Sequence, residues 1–532
     1  MPTFQLWSPA TFRIPCLPAL IIALASSLSH SLTATEIGSR RELFVDDSLI
    51  ESLTGELRLK LHSPQAGEVV LRHDAPWEGT GSGYHSVFRD GDKYRMYYKA
   101  WHLDLQDGRL NTAAHPLFCC YAESSDGVHW TKPEVGQVEF RGSTANNIVM
   151  APETWGDVRS DPGHPAVFKD EHPNCPPEAK YKAIIRASKP HGLLVFQSPD
   201  GLKWSLMHPE PVITEGAFDS QNLAFYDPQI EAYRAYWRIF TAGQTDGEAW
   251  KPAGLRAIRT ATSTDLIHWE AAQDLTYTDS PPTELYTNGV KPYHRAPHLL
   301  LGFPTRYLDR GWSASMRDLP DHDHRQQRSQ ASPRYGTALT DALFMASRDG
   351  VEFKRWNEAF LRPGIERPGT WNYGHQYLAW GPIETAGTLP DAPPELSFYA
   401  TESYWSGEGS HLRRYTLRLD GFVSASATAR GGELRTKPIR FDGQRLTLNL
   451  STAAAGDVRV EIQDAETGTA IPGFSLADCP PVFGDAHDRV VHWENGPDVS
   501  ELAGRLIQLR FVIQDADLYA YRFVPPTQAE SE

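Results

Sequence analysis

Carboxylates and histidines are the residues of this chain whose types could do chemistry. Two carboxyl groups, one protonated and one ionised, can act together as general acid and general base. The two candidate aspartates, Asp161 and Asp219, lie just before predicted strands, where capping of a turn is the alternative to catalysis. The two candidate glutamates, Glu78 and Glu284, lie in loops, where simple solvation is the alternative. The candidate carboxylates are Glu78, Asp161, Asp219 and Glu284.

Three histidines, His85, His164 and His375, stand at the start of predicted strands. Neutral imidazoles that converge from separate strands can bind a divalent cation, which would activate water or hold a ligand hydroxyl. Alternatively, each histidine satisfies polar groups in a wet central channel. We expect the second arrangement, in which no cofactor is required. The other interpretation is that His375 holds a divalent cation on the central axis.

A short repeated pattern predicts the elements that position these side chains. It has the form Ser-x-Asp-(Gly or Leu)-x-x-(Trp or Phe), and its aspartates are 74, 65 and 84 positions apart. A period of roughly 70 residues suits four-stranded propeller blades with loops. Ser and Asp can bind the backbone of a turn, and the aromatic residue begins the next strand and enters the core between blades. The copies are Ser124–Trp130, Ser198–Trp204, Ser263–Trp269 and Ser347–Phe353.

Alternating apolar runs extend this layout to five blades between residues 36 and 420. After Gly421 the composition changes to short, strongly alternating segments such as Leu446–Leu450 and Ile507–Phe511. Such segments predict a β-sandwich over residues 421–532. The sequence thus predicts an all-β chain, in which a five-bladed β-propeller is followed by a C-terminal β-sandwich.

Net charge and the N-terminal segment limit the partners and the location. The 532-residue chain has a net charge of −16, which argues against binding of nucleic acid or anionic membrane surfaces and leaves neutral ligands compatible. Arg13 is the only charged residue before Glu36, and the apolar run Ile14–Leu28 predicts a signal peptide over residues 1–35. We expect a secreted or periplasmic protein with no membrane contact after cleavage. An uncleaved anchor is the alternative.

Four short segments of the predicted blades carry a family resemblance. They are Tyr84–Tyr94, Ser160–Pro162, Asp219–Leu223 and Tyr373–Tyr377. The first, third and fourth resemble blade-one, blade-three and blade-five segments of family 43 glycoside hydrolases, which are five-bladed propellers. The second is similar to the Arg-Asp-Pro segment of family 32. The resemblance covers roughly residues 80 to 420.

The resemblance implies roles for three residues. It implies that Asp219 is the general acid, that Asp161 stabilises the transition state, and that His375 lies on the central axis facing an ion or water. The sequence also departs from the family pattern. Tyr84 stands where family 43 carries its first-blade aspartate, and Glu78 is the nearest substitute.

The function implied by this resemblance is that of a secreted glycoside hydrolase. It would act on a polysaccharide or oligosaccharide by carboxylate acid/base chemistry in the propeller funnel. Trp101 and Trp405 follow strands in long loops and could stack on sugar faces, or they could pack in the blade core. The candidate substrate-binding residues are Tyr84, His85, His164, Gln221, Asn288, Trp101 and Trp405.

Other functions remain as alternatives. The first is a non-catalytic carbohydrate-binding propeller that has lost the first-blade carboxylate. A six-bladed sialidase is disfavoured, because its repeat has an extra residue between Asp and Gly and because no arginine triad is evident. A relative that transfers glycosyl groups to phosphate would need a basic cluster, for which Arg159, Arg306 and Lys291 are the obvious cations.

Overall fold

The computed structural model describes residues 34–112, 114–245 and 250–525. Strands dominate these residues, so the predicted all-β class is confirmed. The helices are α1 (Ala314–Asp318), α2 (His322–Ala331) and α3 (Pro333–Thr337), with single 3₁₀ turns at Pro177–Ala179 and Ser500–Leu502. The predicted signal peptide lies almost wholly outside the described residues. Among the helices that are described, none is long and apolar enough to cross a membrane.

Five sheets of mainly antiparallel strands follow one another along the described chain. Sheet 1 contains Gly83–Asp90, Lys93–Ala100, Phe118–Ser124 and Ile148–Met150. Sheet 2 contains Thr154–Trp155, Val158–Lys169, Tyr181–Lys189, Gly192–Ser198 and Ser205–Leu206. Sheet 3 contains Leu223–Asp227, Ala232–Gln244, Lys251–Ser263 and Glu270–Asp274.

Sheet 4 contains Thr276–Thr278, Lys291–Tyr293, Ala296–Gly302, Met345–Ser347 and Glu352–Arg355. Two of its strands continue into a small sheet made of Glu284–Leu285, Thr305–Asp309 and Ala338–Ala342. Sheet 5 contains Ile383–Thr385, Glu395–Glu402, His411–Arg418 and Gln65–Arg72. A hairpin of Asp104–Gln106 and Arg109–Asn111 lies beside α2.

Sheet 5 is completed by a strand from the N-terminal side of sheet 1. Gln65–Arg72 pairs antiparallel with His411–Arg418, so that Leu71 lies opposite Leu412. The segment before sheet 5 also pairs with sheet 1, because the Trp380 N–H donates to the His85 carbonyl at 2.8 Å. Sheets 5 and 1 are therefore direct neighbours in space, although they are far apart in the chain.

The repeated Ser-x-Asp turns form the hydrogen bonds that the sequence predicts. In the first, the Ser124 hydroxyl accepts from the Gly127 N–H at 2.9 Å, and Asp126 Oδ1 accepts from the Val128 and His129 N–H groups, each at 2.8 Å. The same carboxylate bonds recur at Asp200, Asp265 and Asp349. Each turn is therefore closed by its own side chains.

The aromatic residue of each repeat packs against a hydrophobic core cluster, and in three of the four copies its ring contacts an aromatic ring of the preceding sheet. Ring centres of Trp130 and Tyr399 of sheet 5 are 5.8 Å apart, those of Trp204 and Tyr97 of sheet 1 are 6.1 Å apart, and those of Phe353 and Tyr236 of sheet 3 are 6.2 Å apart. In the same three places the tyrosine hydroxyl donates to the carbonyl of the turn glycine, namely Gly127, Gly201 or Gly350.

A ten-stranded sheet, the C-terminal sheet, holds the remaining strands. Four come from the N-terminal side of the chain, Thr35–Gly38, Arg41–Leu43, Ile50–Gly55 and Arg58–Leu61. Six come from the C-terminal side, Val423–Ala427, Gly432–Thr436, Ile439–Phe441, Arg445–Asp464, Asp485–Val490 and Ile507–Val524. The alternating leucines Leu446, Leu448 and Leu450 are fully buried in its core.

Candidate functional site

One buried cluster consists almost wholly of tyrosine and tryptophan, and we call it the aromatic cluster. Its rings come from the starts of sheets 1 and 5, from the segments around sheet 4 and from the loop after residue 402. Tyr84, Tyr377 and Tyr286 form a stack, with successive ring centres 5.6 Å and 5.5 Å apart. The members used below are Tyr84, Trp101, Tyr286, Tyr307, Tyr335, Tyr373, Tyr377, Tyr404 and Trp405.

Five cationic side chains contact the rings of this cluster. Each lies within cation–π distance of a ring, so the aromatic faces partly compensate for the loss of water around the charge. The distances from the cationic centre to the ring centre are 4.6 Å for Lys99 and Tyr84, 4.9 Å for Arg238 and Tyr286, 4.3 Å for Arg256 and Tyr307, 4.4 Å for Arg328 and Trp405, and 4.7 Å for Arg334 and Tyr335.

Three of the four predicted carboxylates lie at the edge of this cluster. Asp219 forms an ion pair with Arg238, and Glu284 forms one with Arg256. Asp161 lies 3.3 Å from Arg186 Nη1, and its charge acts on Lys99. The Asp219 side chain is 43% exposed whereas Arg238 is 3% exposed. Solvent, or a ligand, can therefore reach the carboxylate of that pair while its partner remains in the interior.

The fourth carboxylate, Glu78, has other partners. Its Oε2 accepts from Lys132 Nζ at 2.6 Å and from the Ala75 N–H at 3.0 Å, and its Oε1 accepts from the Tyr98 hydroxyl. None of these residues belongs to the aromatic cluster. Burial raises the pKa of Glu78, against the opposing effects of Lys132 and Tyr98.

Burial and the surrounding charges move the pKa values of two groups in the cluster toward neutrality. Lys99 is fully enclosed, and burial lowers its pKa to about 7. Burial alone would raise the pKa of Tyr286, but Arg238, the hydrogen bond from Tyr373 and Arg256 bring it to about 8. The Tyr373 hydroxyl donates to the Tyr286 oxygen at 2.7 Å. Both groups can therefore exchange a proton near physiological pH.

The predicted ligand-contacting histidines separate into two environments. The His164 ring lies 5.2 Å from that of Tyr84, in the cluster, and burial together with Lys99 and Arg186 holds its pKa well below the usual range. His85 faces the other way, since its Nε2 lies 3.1 Å from His73 Nε2 and its ring stacks on Tyr98. The structure therefore brings His164 and Tyr84 together and leaves His85 outside.

The two predicted amide side chains are used by the fold. The Gln221 amide donates to the carbonyl oxygens of Tyr84 and Pro165, each at 3.0 Å, and so joins the strand Gly83–Asp90 of sheet 1 to the strand Val158–Lys169 of sheet 2. The Asn288 amide donates to the Tyr236 carbonyl at 3.3 Å. Both side chains are buried, and their donors are already engaged within the protein.

The two predicted tryptophans both belong to the cluster. Trp101 is half-buried with its ring centre 5.3 Å from Lys99 Nζ, and Trp405 is buried beneath Arg328. The Trp405 carbonyl accepts from His324 Nε2 at 2.7 Å, so helix α2 covers this side of the cluster.

His375, the predicted axial residue, is fully buried. Its Nδ1 accepts from the Trp371 N–H at 3.0 Å, and its Nε2 has no partner among the described residues. Burial lowers its pKa to about 4, so the ring is neutral. Within residues 34–112, 114–245 and 250–525, no group of three or more His, Cys, Asp or Glu side chains is arranged to hold a metal ion.

The sequence interpretation missed the cations of the site. It singled out Arg159, Arg306 and Lys291, none of which is among the five cations that contact the cluster. Arg306 pairs with Asp341, and Lys291 lies against Trp380 beside Val290. Lys99 and Arg238 have apolar or aromatic neighbours on both sides, in Tyr98-Lys99-Ala100 and Trp237-Arg238-Ile239. A cation flanked in this way within a strand was the signal that could have identified them.

Comparisons with known proteins give remote similarities. No family model matches the chain, and no curated protein matches it. An N-acetylgalactosamine deacetylase from F. plautii, solved with blood group B trisaccharide, is 11% identical over 68% of this chain and 95% of its own, with a TM-score of 0.40. A glycosyl hydrolase from Bacteroides ovatus is 14% identical over 66% and 94%, with a TM-score of 0.38. A thermostable family-43 glycoside hydrolase is 11% identical over 68% and 95%, also at 0.38. The predicted resemblance to family 43 thus recurs among solved structures, at TM-scores too low to carry an argument about activity.

Proposed function

We propose that this protein is a secreted or periplasmic glycoside hydrolase whose active site is the aromatic cluster with its bordering carboxylates. The observation that carries the proposal is the convergence of Asp161, Asp219 and Glu284, from segments far apart in the chain, on one group of tyrosine and tryptophan rings. Aromatic faces suit the flat apolar faces of sugar rings, and carboxyl groups supply the acid and base that glycosidic cleavage needs.

A five-bladed propeller followed by a β-sandwich is the architecture that we propose for this site. In support, sheets 1 to 5 follow one another along the chain, and tyrosines of sheets 5, 1 and 3 bind the turns of sheets 1, 2 and 4. The strand Gln65–Arg72 would close the ring by completing the last blade. First strands of the blades would then converge at one end of the axis, where the cluster lies.

Within this site, we assign Asp219 as the general acid. Asp161 would stabilise the oxocarbenium-like transition state or activate water, and Glu284 is the second candidate for either task. Arg238 is the partner of Asp219 in the free protein, so a bound ligand has to compete for that guanidinium before Asp219 can deliver a proton. No cofactor is required in this scheme, and a cation at His375 would be an addition to it.

The test is hydrolysis of a panel of aryl glycosides and polysaccharides, with and without a chelator. Asp219→Asn should lower the rate by about two to four orders of magnitude, because a positioned acid contributes that much. Asp274→Asn is the matched control, since Asp274 also pairs with an arginine, Arg259, but lies at the edge of sheet 3. Full activity of the Asp219 variant would overturn the assignment, and loss of activity in chelator would require the cation.

A non-catalytic carbohydrate-binding propeller is the second candidate. It is favoured by sheet 1, where Tyr84 faces the cluster and Glu78 is held elsewhere by Lys132 and Tyr98. Sheet 1 therefore contributes no free carboxylate. Oligosaccharide binding without turnover on the whole panel would select this candidate.

A further inference from the structure

We infer that the ligand of the aromatic cluster is a saccharide that carries an acidic group, either a uronate carboxylate or a sulfate ester. This inference rests on the proposed function and specifies its substrate class. The first observation is the local charge. Five cations contact the rings, and two of them, Arg238 and Arg256, pair with carboxylates. Lys99, Arg328 and Arg334 form no ion pair within 4.0 Å in the part of the chain that the structure describes, although the charge of Asp161 acts on Lys99 from farther away.

This excess of positive charge runs against the composition of the chain. The whole protein has a net charge of −16, so a buried group of cations is not a consequence of a basic surface. Burying a cation without a counter-ion is costly, and such groups are normally paired. The arrangement is therefore explained if the missing negative charge arrives with the ligand.

The second observation is a set of buried guanidinium donors without acceptors. Nε and Nη2 of Arg328, Nη1 of Arg334, and Nε of both Arg238 and Arg256 have no hydrogen-bond partner among the described residues. Arg328 is only 1% exposed and Arg238 only 3%. Leaving such donors unpaired costs free energy. In the described chain, a single Nε without a partner also occurs outside the cluster, in Arg355 and Arg418, whereas Arg328 lacks acceptors for two nitrogens and so indicates an absent acceptor. A group with two or three oxygens fits the forked guanidinium better than a hydroxyl does.

The third observation is the state of Lys99. Its Nζ donates to the Tyr404 hydroxyl at 3.0 Å and lies over the Tyr84 ring, and burial lowers its pKa to about 7. An anion bound nearby would favour the protonated amine. Binding of an acidic saccharide should therefore be accompanied by proton uptake at pH 7 to 8, which a neutral sugar would not cause.

An acidic ligand also connects recognition to the chemistry proposed above. The acidic group can take the Arg238 guanidinium from Asp219, which leaves the Asp219 carboxyl free to act on the glycosidic oxygen. Only a saccharide with an acidic substituent would release this pair. A neutral sugar would have to bind with the ion pair intact.

The experiment is calorimetric titration of the full chain with four probes: a galacturonate trisaccharide, a sulfated galactan oligosaccharide, xylotriose and inorganic phosphate. At least one acidic oligosaccharide should bind about tenfold or more tightly than xylotriose, with an affinity that falls as salt is added and with proton uptake at pH 7.5. The acidic probe that binds identifies the group.

Two variants and one control connect this binding to the cluster. Arg328→Gln and the more exposed Arg334→Gln should each weaken binding of the acidic probe by about tenfold or more. Arg259→Gln, which removes the partner of Asp274 on the edge strand of sheet 3, should leave binding unchanged. Thermal unfolding shows whether each variant is folded. If the variant of the buried Arg328 does not fold, Arg334→Gln still provides the test.

The possible failures are distinguishable. If xylotriose binds as tightly as both acidic probes, or if phosphate alone binds and the saccharides do not, the inference is wrong. Hydrolysis of neutral glycans would then still support the proposed function. If an acidic probe binds through Arg334 but is never cleaved, the inference stands and the proposed hydrolase activity is wrong.

Discussion

At the scale of single residues, Lys99 combines burial, three aromatic neighbours and a pKa of about 7. The pKa in the folded state lies below the ordinary value of 10.5, so between about pH 7 and 10 the unfolded chain binds more protons at this group. The contribution of Lys99 to stability therefore rises with pH through that window, and the charged amine is most costly below pH 7.

This rise of the Lys99 contribution to stability with pH gives a prediction for Lys99→Met. The variant should raise the unfolding temperature at pH 6, where the wild-type amine is charged, and the gain should shrink by pH 9, where the wild-type amine is neutral in the folded state. Binding of acidic saccharides should weaken at the same time. The measurement is thermal unfolding at both pH values. An equal shift at pH 6 and pH 9 would show that the substitution acts through packing alone.

Sequence patterns pointed to some of the residues beside the aromatic cluster and missed others for a physical reason. Asp161 and Asp219 were singled out because they precede predicted strands in segments that resemble glycoside hydrolases, and Glu284 because it is a loop carboxylate just before Tyr286-Thr287-Asn288. Lys99 and Arg238 were not recognised, because charges within a strand are normally assigned to its solvent face. Which face is covered depends on the neighbouring sheet, and a single strand does not specify that.

At the scale of elements, the contact that recurs is a tyrosine hydroxyl donating to the glycine carbonyl of a neighbouring turn. In its three examples the tyrosine and the glycine are 272, 104 and 114 positions apart in sequence. The turns themselves were predictable, because Ser, Asp and Gly act within a few residues. The tyrosines that bind them were not, because nothing local in the sequence specifies which strand packs on which turn.

We predict that Tyr236→Phe lowers the free energy of unfolding by about 1 kcal/mol, the usual net value of one hydrogen bond, because the Gly350 carbonyl loses its donor. Tyr277→Phe is the matched control. Its hydroxyl is also buried but has no partner among the described residues, so its removal should cost nothing. Denaturant unfolding of both variants makes the comparison, and an equal loss in both would show that the tyrosine–glycine bond does not matter.

At the scale of the whole molecule, one sheet joins strands from before and after the five sheets. Alternation of apolar residues predicted the strands around Leu446–Leu450 and Ile507–Phe511. Of the four short strands between residues 35 and 61 that pair into the same sheet, the last alternates in the same way, in Leu57-Arg58-Leu59-Lys60-Leu61. The three before it do not, and pairing with distant strands decides which sheet all four join, so the sequence analysis placed residues 36–61 with the five blades.

Asp420 is the residue that ties this C-terminal sheet to sheet 4. Its carboxylate is fully buried and accepts from the Tyr293 hydroxyl at 2.8 Å, from Arg295 Nε at 2.9 Å and from the Asn449 amide at 3.0 Å. Arg41 Nη1 lies 3.4 Å from Oδ2, the oxygen that also accepts from Asn449. Burial raises the pKa of this carboxyl, but the two arginines and Tyr293 together bring it below the usual range.

We therefore predict that Asp420→Asn lowers the free energy of unfolding by about 3 kcal/mol, because it removes the buried charge that Arg41 and the half-buried Arg295 share and leaves them only the more exposed Asp488 and Glu384. Asparagine fits the left-handed backbone at this position, where φ is 62°, so the substitution removes the charge without straining the chain. Asp485→Asn is the control, since Asp485 pairs with Arg418 at the surface and its substitution should lower the free energy of unfolding by less than about 1 kcal/mol.

Calorimetry at pH 7 should show one unfolding transition in the wild type and a lower or split transition in the Asp420 variant. Because the folded-state pKa is lowered, the wild type should approach the variant only as the pH falls through that value. A variant as stable as the control would mean that sheet 4 and the C-terminal sheet are held together by apolar packing around Phe422 and not by this ion pair.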